Sequence, residues 1–532
     1  MSVFCDRLKA INPPRDAHAF VYVPYDQLNA DVGLLAEADP STLGVILIET
    51  KWKPSQRKYH KQKLALLLSN QRHFALELAR RGYHVKYVFD TRSYGDVLRE
   101  LSGELGSIAV MEPAEYELRQ NLQPLLADGV ITPSRNPFWL TENDDFIRSQ
   151  GKHRKWRMDR FYRHVRKQYQ VLLDTDGKPV GGKWSHDADN RKPWNGQPAA
   201  PSRPSFELTD VTREVCELID LEFGDHPGCL DRSALPSTRE HADALWAWAC
   251  AHCMTFFGPY EDAMSTKDVF LFHTNISSLM NLGRLLPRTV VSDVLALDIP
   301  LNSKEGFVRQ VLGWREFVRH VHRETAGLRD VDDEFRRMSQ TPEAPSFLGA
   351  NQPLPAAFWG QESGFKCLDH VVGEVWTHGY THHINRLMIL SNWATLLDVS
   401  PRELSDWFWV AFTDAYDWVV EPNVIGMGTF GLGELMTTKP YVSGSAYVNK
   451  MSDYCKGCQF CPKTTCPMTS LYWAFLKRHE ETLSSNPRLS LVMGSCRKRS
   501  EEKQAQDAQV AADVMAALGM TDPAIAAGDP SK

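Results

Sequence analysis

The sequence predicts an α/β N-terminal domain, a long linker and a larger all-helical domain. Short apolar runs alternate with amphipathic helical runs up to about residue 145, then a polar stretch rich in Gly, Pro and Asn follows. From about residue 208 onwards nearly every segment has helical periodicity. The expected boundaries are 1–145 for the α/β domain, 146–207 for a basic helix and linker, 208–495 for the helical domain and 496–532 for a flexible tail that is frayed or partly helical.

The N-terminal domain is predicted from alternating strands and helices. The expected order is strand 17–25, strand 43–49, helix 60–82, strand 83–90, helix 93–106 and strand 107–113. Gly82 suits the left-handed position at which helices often end. This alternation is typical of a parallel, Rossmann-like sheet. Neither GxGxxG nor GxxxxGK[ST] is present, so neither usual nucleotide-binding motif supports the assignment of a ligand here.

Bulk properties exclude some classes of protein. The chain has 532 residues and a net charge of −6, so any binding to nucleic acid must come from local basic patches. No apolar run is long enough for a membrane span, and no signal peptide is recognised, so we expect a cytoplasmic protein. Eleven cysteines, an odd number in a reducing compartment, favour metal binding over a disulfide scaffold.

Four cysteines lie within twelve residues of the segment 450–473, in the pattern Cys455-x2-Cys458-x2-Cys461-x4-Cys466-Pro467. Thiolates at CxxC spacing can share one metal centre, and three or four suit tetrahedral Zn²⁺ or an iron–sulfur cluster. The spacing is similar to that of ferredoxins, with the last cysteine one residue later. Structural zinc and chance clustering are the alternatives at this point.

Two further segments carry polar side chains suited to a site. His382 and His383 are adjacent, so on a helix they point about 100° apart, which makes shared metal ligation unfavourable. Hydroxyls of Thr274, Ser277 and Ser278 precede apolar positions and could cradle a phosphate at a helix start. An ordinary N-cap and two structural histidines are the alternative interpretations.

Taken together, these segments resemble the photolyase/cryptochrome superfamily up to about residue 495, and its iron–sulfur bacterial branch of prokaryotic (6-4) photolyases in particular. The motifs that carry the resemblance are HDADNRKPW (186–194), YEDAM (260–264), GFVRQVLGWREFVR (306–319), THHINRLM (381–388), DAYDWV (414–419), EPNVIGMG (421–428) and TKPYVSGSAYVNKMSDYCKGC (438–458). The resemblance implies FAD bound in the helical domain. The implied FAD-binding residues are Thr274, Ser277, Ser278, Leu279, Met280, Trp314, Arg386, Asp414 and Asn423.

Arg386 and Asp414 match an ion pair beside the flavin ring, and the position facing flavin N5 falls on Val420, where relatives often have a polar group. The implied reaction is blue-light-driven repair, in which excited FADH⁻ donates an electron to a flipped-out (6-4) photoproduct and His383 donates a proton. The implied catalytic residues are His383, His382, Tyr441, Tyr447 and Gln310. Trp407 and Trp359, with Phe408 beside them, match rings that carry electrons to the flavin during photoreduction.

The resemblance also implies a [4Fe–4S] cluster and an antenna chromophore. The cluster ligands would be Cys367, Cys455, Cys458 and Cys466, whereas the spacing alone would allow Cys461 to replace Cys367. The antenna in this branch is 6,7-dimethyl-8-ribityllumazine. Glu49, Tyr59 and His60 remain in the corresponding segment, but Lys53 and Gln56 stand where relatives have an acidic residue and a tyrosine.

The expected partner is UV-damaged DNA, bound by a monomer. Basic residues in 151–168, the helix 309–323 and the linker from His186 to Lys192 would contact the duplex. The helix 309–323 could equally be an ordinary solvated face. Two alternatives compete with repair: a cryptochrome-type photoreceptor that signals through its tail, and an iron–sulfur DNA-binding protein without flavin. A lesion-protonating histidine favours repair over the first, and tightly bound flavin would exclude the second.

Overall fold

The computed structural model describes residues 2–12, 17–339 and 341–520. Its sheet consists of β1 (Ala19–Tyr22), β2 (Leu43–Thr50), β3 (His84–Asp90), β4 (Ile108–Met111) and β5 (Ile131–Ser134). All neighbouring strands are parallel, in the spatial order β3-β2-β1-β4-β5. The predicted parallel sheet is therefore confirmed. The strand β5 was not predicted, because it is short, half-exposed and contains Pro133, a residue tolerated at a sheet edge.

Helices make up most of the remaining structure. They are α1 (Val3–Ile11), α2 (Gly33–Glu37), α3 (Trp52–Gln56), α4 (Lys61–Arg80), α5 (Tyr94–Leu105), α6 (Tyr116–Ala127), α7 (Asn143–Gln150), α8 (Met158–Gln168), α9 (Asp210–Glu222), α10 (Arg239–His252), α11 (Met254–Phe257), α12 (Ser277–Asn281), α13 (Pro287–Ala296), α14 (Leu301–Val308), α15 (Glu316–Glu324), α16 (Lys366–His378), α17 (Asn392–Leu396), α18 (Pro401–Ala411), α19 (Asp417–Glu421), α20 (Ser445–Met451), α21 (Pro467–Arg478), α22 (Glu480–Leu483), α23 (Ser490–Arg497) and α24 (Glu501–Ala517). None of the helices in the described ranges combines the length and the apolar character needed to cross a bilayer.

The long helix α4 connects the sheet to the helical part of the molecule. His60 caps its N-terminus, where Nδ1 accepts the Gln62 N–H at 3.0 Å. The helix then packs on the sheet on one side and on α9 on the other, because apolar residues recur on both faces. Gly82, just beyond its end, has φ 95°, as the sequence predicts for a helix terminus. This helix fixes the position of the sheet relative to the helical core.

The tail is more ordered than the expected frayed or partly helical extension. Residues 501–517 form α24, which packs along α21 and buries Ala511, Val514 and Met515. Arg499 pairs with Asp507 at 2.6 Å and lies 4.8 Å from the ring centre of Trp473. The Ala-rich sequence favours a helix, and its apolar residues bury one stripe of it. Residues 521–532 lie outside the described residues.

Candidate functional site

Three π-helical turns carry predicted site residues. They span Arg309–Arg315, Asn385–Ser391 and Pro422–Gly428, and contain Gln310 and Trp314, Arg386, and Asn423 respectively. Turns of this kind are rare and occur frequently at functional sites, because the extra residue redirects side chains out of the regular helical pattern. Their coincidence with the expected flavin and lesion residues marks this region as the site.

Arg386 and Asp414 form a two-bond ion pair, with distances of 2.9 and 3.0 Å between guanidinium nitrogens and carboxylate oxygens. Burial alone would raise the pKa of Asp414, but the charge and hydrogen bonds of Arg386 and a hydrogen bond from Ser277 bring it below its usual value. Ser277 Oγ donates to Asp414 Oδ2 at 2.7 Å. The guanidinium also lies 4.1 Å from the ring centre of Phe412. A predicted phosphate-binding hydroxyl and the predicted ion pair therefore belong to one connected group.

The 274–280 segment lies largely buried beside this pair. Ser278, Leu279 and Met280 are buried in the short helix α12, and Thr274 is 7% exposed. With the Asn275 amide oriented towards Arg203, its oxygen accepts a guanidinium hydrogen bond at 2.8 Å. Arg203 and Ser278 line the same small cavity, together with Tyr380 and Thr413. Sequence reasoning missed Arg203, because a single arginine within a Pro-rich linker carries no periodic signal.

The two adjacent histidines point to different environments, as adjacent residues must. His382 is buried, and its ring stacks on His273 at 4.6 Å between ring centres and 8° between planes. Burial lowers the pKa of both rings well below the usual value, so both are neutral. His383 is 43% exposed, and its Nε2 lies 3.7 Å from Asp262 Oδ1. Of the pair, only His383 can meet a ligand from solvent.

The imidazoles of His273, His382 and His383 offer donor atoms within 4.8 Å of one another. The near-parallel stacking of His273 on His382 sets their in-plane lone pairs in two separate layers, so they do not converge on a single ion. The cluster is better suited to packing and hydrogen bonding than to metal ligation. His273 was not predicted, because its position before Thr274 carries no metal-type spacing.

Around His383 the side chains are polar and partly exposed. Asp262 also lies 3.7 Å from Arg191, which pairs with Asp187 of the HDADNRKPW motif. Burial and the negative charge of Asp262 raise the pKa of Tyr447, and burial and Asp187 raise that of Tyr441. The linker motif, Tyr441, Tyr447 and His383 are therefore neighbours of one charged group formed by Asp187, Arg191 and Asp262.

Gln310 is held by the YEDAM motif. Its Nε2 donates to Glu261 Oε1 at 2.6 Å, and Glu261 also accepts a hydrogen bond from Asn190 at 2.8 Å. Trp314, half-buried in the same π-helical turn, meets Phe317 edge-on at 6.1 Å. The linker thus sets the orientation of a side chain predicted to meet the lesion.

At the position predicted to face flavin N5, Val420 is buried. Neighbouring Glu421 points instead to His322, whose Nε2 lies 3.0 Å from its carboxylate, and to Arg402 at 2.6 Å. The Asn423 amide donates to the Val419 carbonyl oxygen at 2.8 Å, within its own helix. The Glu421 carboxylate thus pairs with side chains of the protein and is not oriented towards a ligand.

The basic helix expected to contact DNA faces inward for most of its length. Arg309 is 5% exposed and lies 3.4 Å from both Glu261 and Glu305. Arg315 and Arg319 stack on Trp139, at 4.1 and 4.7 Å from the ring centre. These three arginines stabilise the interior and are not available to phosphates. In the 151–168 segment the basic side chains are more exposed, but Arg154 pairs with Asp332 at 2.6 Å.

The predicted cluster cysteines come together from two segments. Cys367 lies in the first turn of α16, and Cys455, Cys458 and Cys466 are electrostatic neighbours of its thiol. Burial, followed by these neighbouring thiols, raises the pKa of Cys367 to about 12. Cys461 is exposed, and its thiol contributes to raising the pKa of Cys455 and Cys466, after burial and the thiol of Cys458. The geometry brings Cys367 into the group and leaves Cys461 at its edge.

A cavity of about 390 Å³ lies at the carboxyl ends of β2 and β3. Its walls include Glu49, Lys53 and Tyr59 from the predicted antenna segment, Leu67 and Lys63 from α4, and Trp409 and Tyr416 from the helical part. Lys53 is neutralised by Glu115 and by Glu117, the latter at 3.2 Å. His60 and Gln56 are not among the lining residues. In parallel sheets this edge is the usual place for ligands.

The two tryptophans expected to carry electrons differ in exposure. Trp407 is 1% exposed and Trp359 is 52% exposed, so the first is an interior ring and the second a surface ring. Phe408 contacts Trp407 edge-on at 5.3 Å.

Comparisons with known proteins agree with this arrangement. A family model described as deoxyribodipyrimidine photo-lyase-related protein matches residues 21–235. A protein of Agrobacterium fabrum named (6-4) photolyase is 32% identical over 500 residues, which cover 90% of this chain and 95% of that protein.

Solved structures share the fold. A bacterial class III photolyase from Agrobacterium tumefaciens aligns with a TM-score of 0.53 at 15% identity, over 95% of this chain and 98% of that one. An archaeal photolyase from Sulfolobus tokodaii, described with two FAD molecules, aligns with a TM-score of 0.52 at 15% identity, over 78% of this chain and 83% of that one. Because the sequence identity to the Agrobacterium fabrum protein extends over nearly the whole of both chains, this chain belongs to the photolyase/cryptochrome superfamily.

Proposed function

We propose that the chain is a DNA photolyase that uses blue light to reverse (6-4) pyrimidine–pyrimidone photoproducts. The observation that carries this proposal is the exposed imidazole of His383, whose Nε2 lies 3.7 Å from Asp262, three residues before Arg386 of the Arg386–Asp414 ion pair. A curated relative of this chain is named (6-4) photolyase. The exposed imidazole would supply a proton donor, and the ion pair would supply a fixed dipole for a cofactor.

The residues around the ion pair fit an FAD molecule. Arg203 Nε, His273 Nε2 and His382 Nδ1 are buried polar atoms without a partner among the described residues, as expected where a polar cofactor completes their hydrogen bonding. Ser278 and Arg203, in one small cavity, offer a hydroxyl and a cation to phosphate groups. When bound in its reduced form, a flavin would supply one electron to the lesion on excitation and receive it back.

His383 would act as the general acid. Its exposure leaves Nε2 accessible to a base flipped out of the duplex, while Asp262 at 3.7 Å is placed to orient the ring. His382 would instead support the site as a neutral, stacked ring, because burial keeps its pKa well below the usual value. Gln310, oriented by Glu261, would hydrogen-bond the lesion, where its amide can both donate and accept.

For the four cysteines we propose a [4Fe–4S] cluster ligated by Cys367, Cys455, Cys458 and Cys466. No three of these thiols form a group with sulfur atoms within 4.8 Å of one another in the described part of the chain, so a single tetrahedral ion would require the segment to tighten. A cluster holds its cysteines further apart. The indole N–H of buried Trp393 faces Cys367 and has no other partner among the residues that the structure describes, which suits a donor to a cluster sulfur.

The 390 Å³ cavity at the sheet edge fits an antenna chromophore of the size of a ribityl-lumazine. Its walls combine Tyr25, Tyr59 and Trp409 with the charged groups of Glu49, Arg72 and Lys53. Aromatic faces would pack against the ring system and the polar groups would bind hydroxyls. Since Lys53 is already paired with Glu115, the lysine does not leave an uncompensated charge in the wall.

The test uses chemically reduced protein and two oligonucleotides, one carrying a (6-4) lesion and one a cyclobutane dimer, each in blue light and in darkness. We expect light-dependent loss of the (6-4) lesion only, and loss of this repair by about 100-fold or more in His383→Ala. Repair of the dimer instead would contradict the assigned substrate. Absence of both activities in flavin-loaded protein would favour a photoreceptor.

A further inference from the structure

We propose that Trp376 is the middle carrier of the electron path between Trp359 and Trp407, a role that no sequence pattern assigned to it. The proposal rests on the proposed function, because the path would end at the flavin. Trp376 lies near the end of α16 and contacts both tryptophans. Its ring stacks on Trp359 at 5.6 Å and 20°, and meets Trp407 edge-on at 5.9 Å and 88°.

Without Trp376 the predicted path has a gap. In the described part of the chain no ring contact joins Trp359 directly to Trp407. The other ring neighbours of Trp407 in the described part of the chain are Phe358, Phe408 and Phe412, and none of them makes a ring contact with Trp359 or Trp376. A phenyl ring is also much harder to oxidise than an indole. Trp376 is therefore the residue that connects the exposed ring to the buried one.

Hydrogen bonding fixes the two inner rings relative to each other. The Nε1–H groups of Trp376 and Trp407 both donate to the carbonyl oxygen of Phe358, each at 2.9 Å. Trp359 is the next residue in the same 3₁₀ turn, Ala356–Trp359. One short turn thus sets the positions of all three indoles. A backbone carbonyl is a poor proton acceptor, so an oxidised Trp376 or Trp407 would keep its N–H proton and could be reduced again.

Outside the tryptophans, His60 lies nearly parallel to Trp376, at 5.9 Å and 8°. Burial lowers the pKa of His60 to about 4, so the ring beside Trp376 is uncharged near neutral pH. A neutral neighbour does not oppose the positive charge that Trp376 would carry briefly. Trp359, which is half-exposed, is placed to exchange electrons with solvent.

The electron balance requires an external reductant, for which a small thiol suffices. With a bound oxidised flavin as the acceptor, Trp407 would give up one electron on illumination, Trp376 would re-reduce Trp407, and Trp359 would re-reduce Trp376. The thiol would then return one electron to Trp359 and become half of a disulfide. Two such rounds, with one proton from solvent, would balance the two-electron reduction of the bound flavin.

The test follows the photoreduction of oxidised holoprotein under blue light with dithiothreitol, by the loss of the oxidised-flavin absorbance. We expect Trp376→Phe to slow this rate about tenfold or more, and Trp359→Phe to slow it to a similar extent. Phe408→Leu is the matched control, since it removes another ring in contact with Trp407 and should leave the rate within about twofold. Trp376→Tyr should restore part of the rate, because tyrosine can still be oxidised.

Two readouts separate this role from general damage. The far-ultraviolet circular dichroism of stacked indoles should lose its exciton signal in Trp376→Phe, without reference to flavin activity. Transient absorption should show that the tryptophan radical of this variant decays early, by recombination at Trp407. Repair of a (6-4) oligonucleotide by chemically reduced protein tests the proposed function separately, since it bypasses the path. A wild-type photoreduction rate in Trp376→Phe, or a slow rate in Phe408→Leu, would overturn the inference.

Discussion

Glu421 shows how one buried carboxylate stabilises the region beneath the site. It pairs with Arg402 at 2.6 Å, lies 3.0 Å from His322 and 3.4 Å from Arg329, and is 1% exposed. Although burial opposes ionisation, the hydrogen bond with His322 and the charge of the arginines lower its pKa to about 2. Because Glu421 immediately precedes the π-helical turn that contains Asn423, this network fixes the start of that turn.

The pKa of Glu421 makes a pH-dependent prediction. A carboxylate with a pKa lowered from 4.5 to about 2 contributes about 3 kcal/mol to the free energy of unfolding. This contribution is complete above pH 4.5, where the unfolded-state group is ionised, and is lost as the pH falls towards 2. Glu421→Gln should therefore lower the denaturant midpoint at pH 7, and the difference from wild type should shrink below pH 4.5.

The exposed Glu481 provides the control for this experiment, since Glu481→Gln should leave the midpoint nearly unchanged at every pH. A difference between wild type and Glu421→Gln that stays constant down to pH 3.5 would show that the carboxylate is not held in its charged form.

The two segments that carry cysteines make a prediction at the level of elements. Cys367 lies at the start of α16, where Lys366 donates a hydrogen bond to the Lys456 carbonyl oxygen of the 455–466 segment, and the proposed cluster would join the two segments further. We expect Cys367→Ser to lose most of the bound iron and acid-labile sulfide, and Cys461→Ser to retain both, because Cys461 is exposed at the edge of the group. Iron retention in Cys367→Ser together with loss in Cys461→Ser would reverse the ligand assignment.

The helix α24 provides a second prediction at this level. It packs on α21, whose N-terminal residue follows Cys466 directly, and it buries Ala511, Val514 and Met515. Truncation after Arg497 should expose this apolar stripe and lower the thermal midpoint by several degrees, an effect of about 2–4 kcal/mol. The double variant Val514→Asp, Met515→Asp should reproduce the loss in the full-length chain. An unchanged midpoint in both proteins would show that the helix does not stabilise the core.

At the scale of the whole molecule, the parallel sheet and the length of α4 were predictable because each depends on local apolar periodicity. The way in which distant segments come together at the candidate site was not predictable from the sequence. Arg203 comes from the linker, His273 from the residue before Thr274, and Trp376 from the helix that begins near Cys367. Such residues have no spacing signal, since tertiary packing alone brings them to their partners. The resemblance to a known family supplied the residues that local pattern could not.

The basic helix 309–323 also shows that local sequence pattern does not determine what a side chain contacts. Its arginines form an amphipathic pattern, which allowed either a solvated face or a phosphate contact, yet Arg309, Arg315 and Arg319 are buried against acids and Trp139. A buried arginine paired with carboxylate or stacked on an indole has the same sequence signature as one that binds phosphate. Only the acidic groups and rings facing the helix, which come from distant segments, decide between these roles.

The cavity at the sheet edge joins the two halves of the molecule and allows a final prediction. Leu67 projects from α4 into this space, opposite Trp409 and Tyr416. Leu67→Trp should fill much of the cavity and abolish binding of an antenna chromophore, while repair per photon absorbed by the flavin should not change, because no proposed repair residue lines the cavity.

The measurement is the absorbance of reconstituted lumazine in purified protein, together with the action spectrum of repair. Leu67→Ala, which enlarges the cavity, should retain binding. If Leu67→Trp bound the lumazine as wild type does, the chromophore would have to lie elsewhere. If Leu67→Trp lowered repair at wavelengths absorbed by the flavin, the cavity and the repair site would be coupled by more than light transfer.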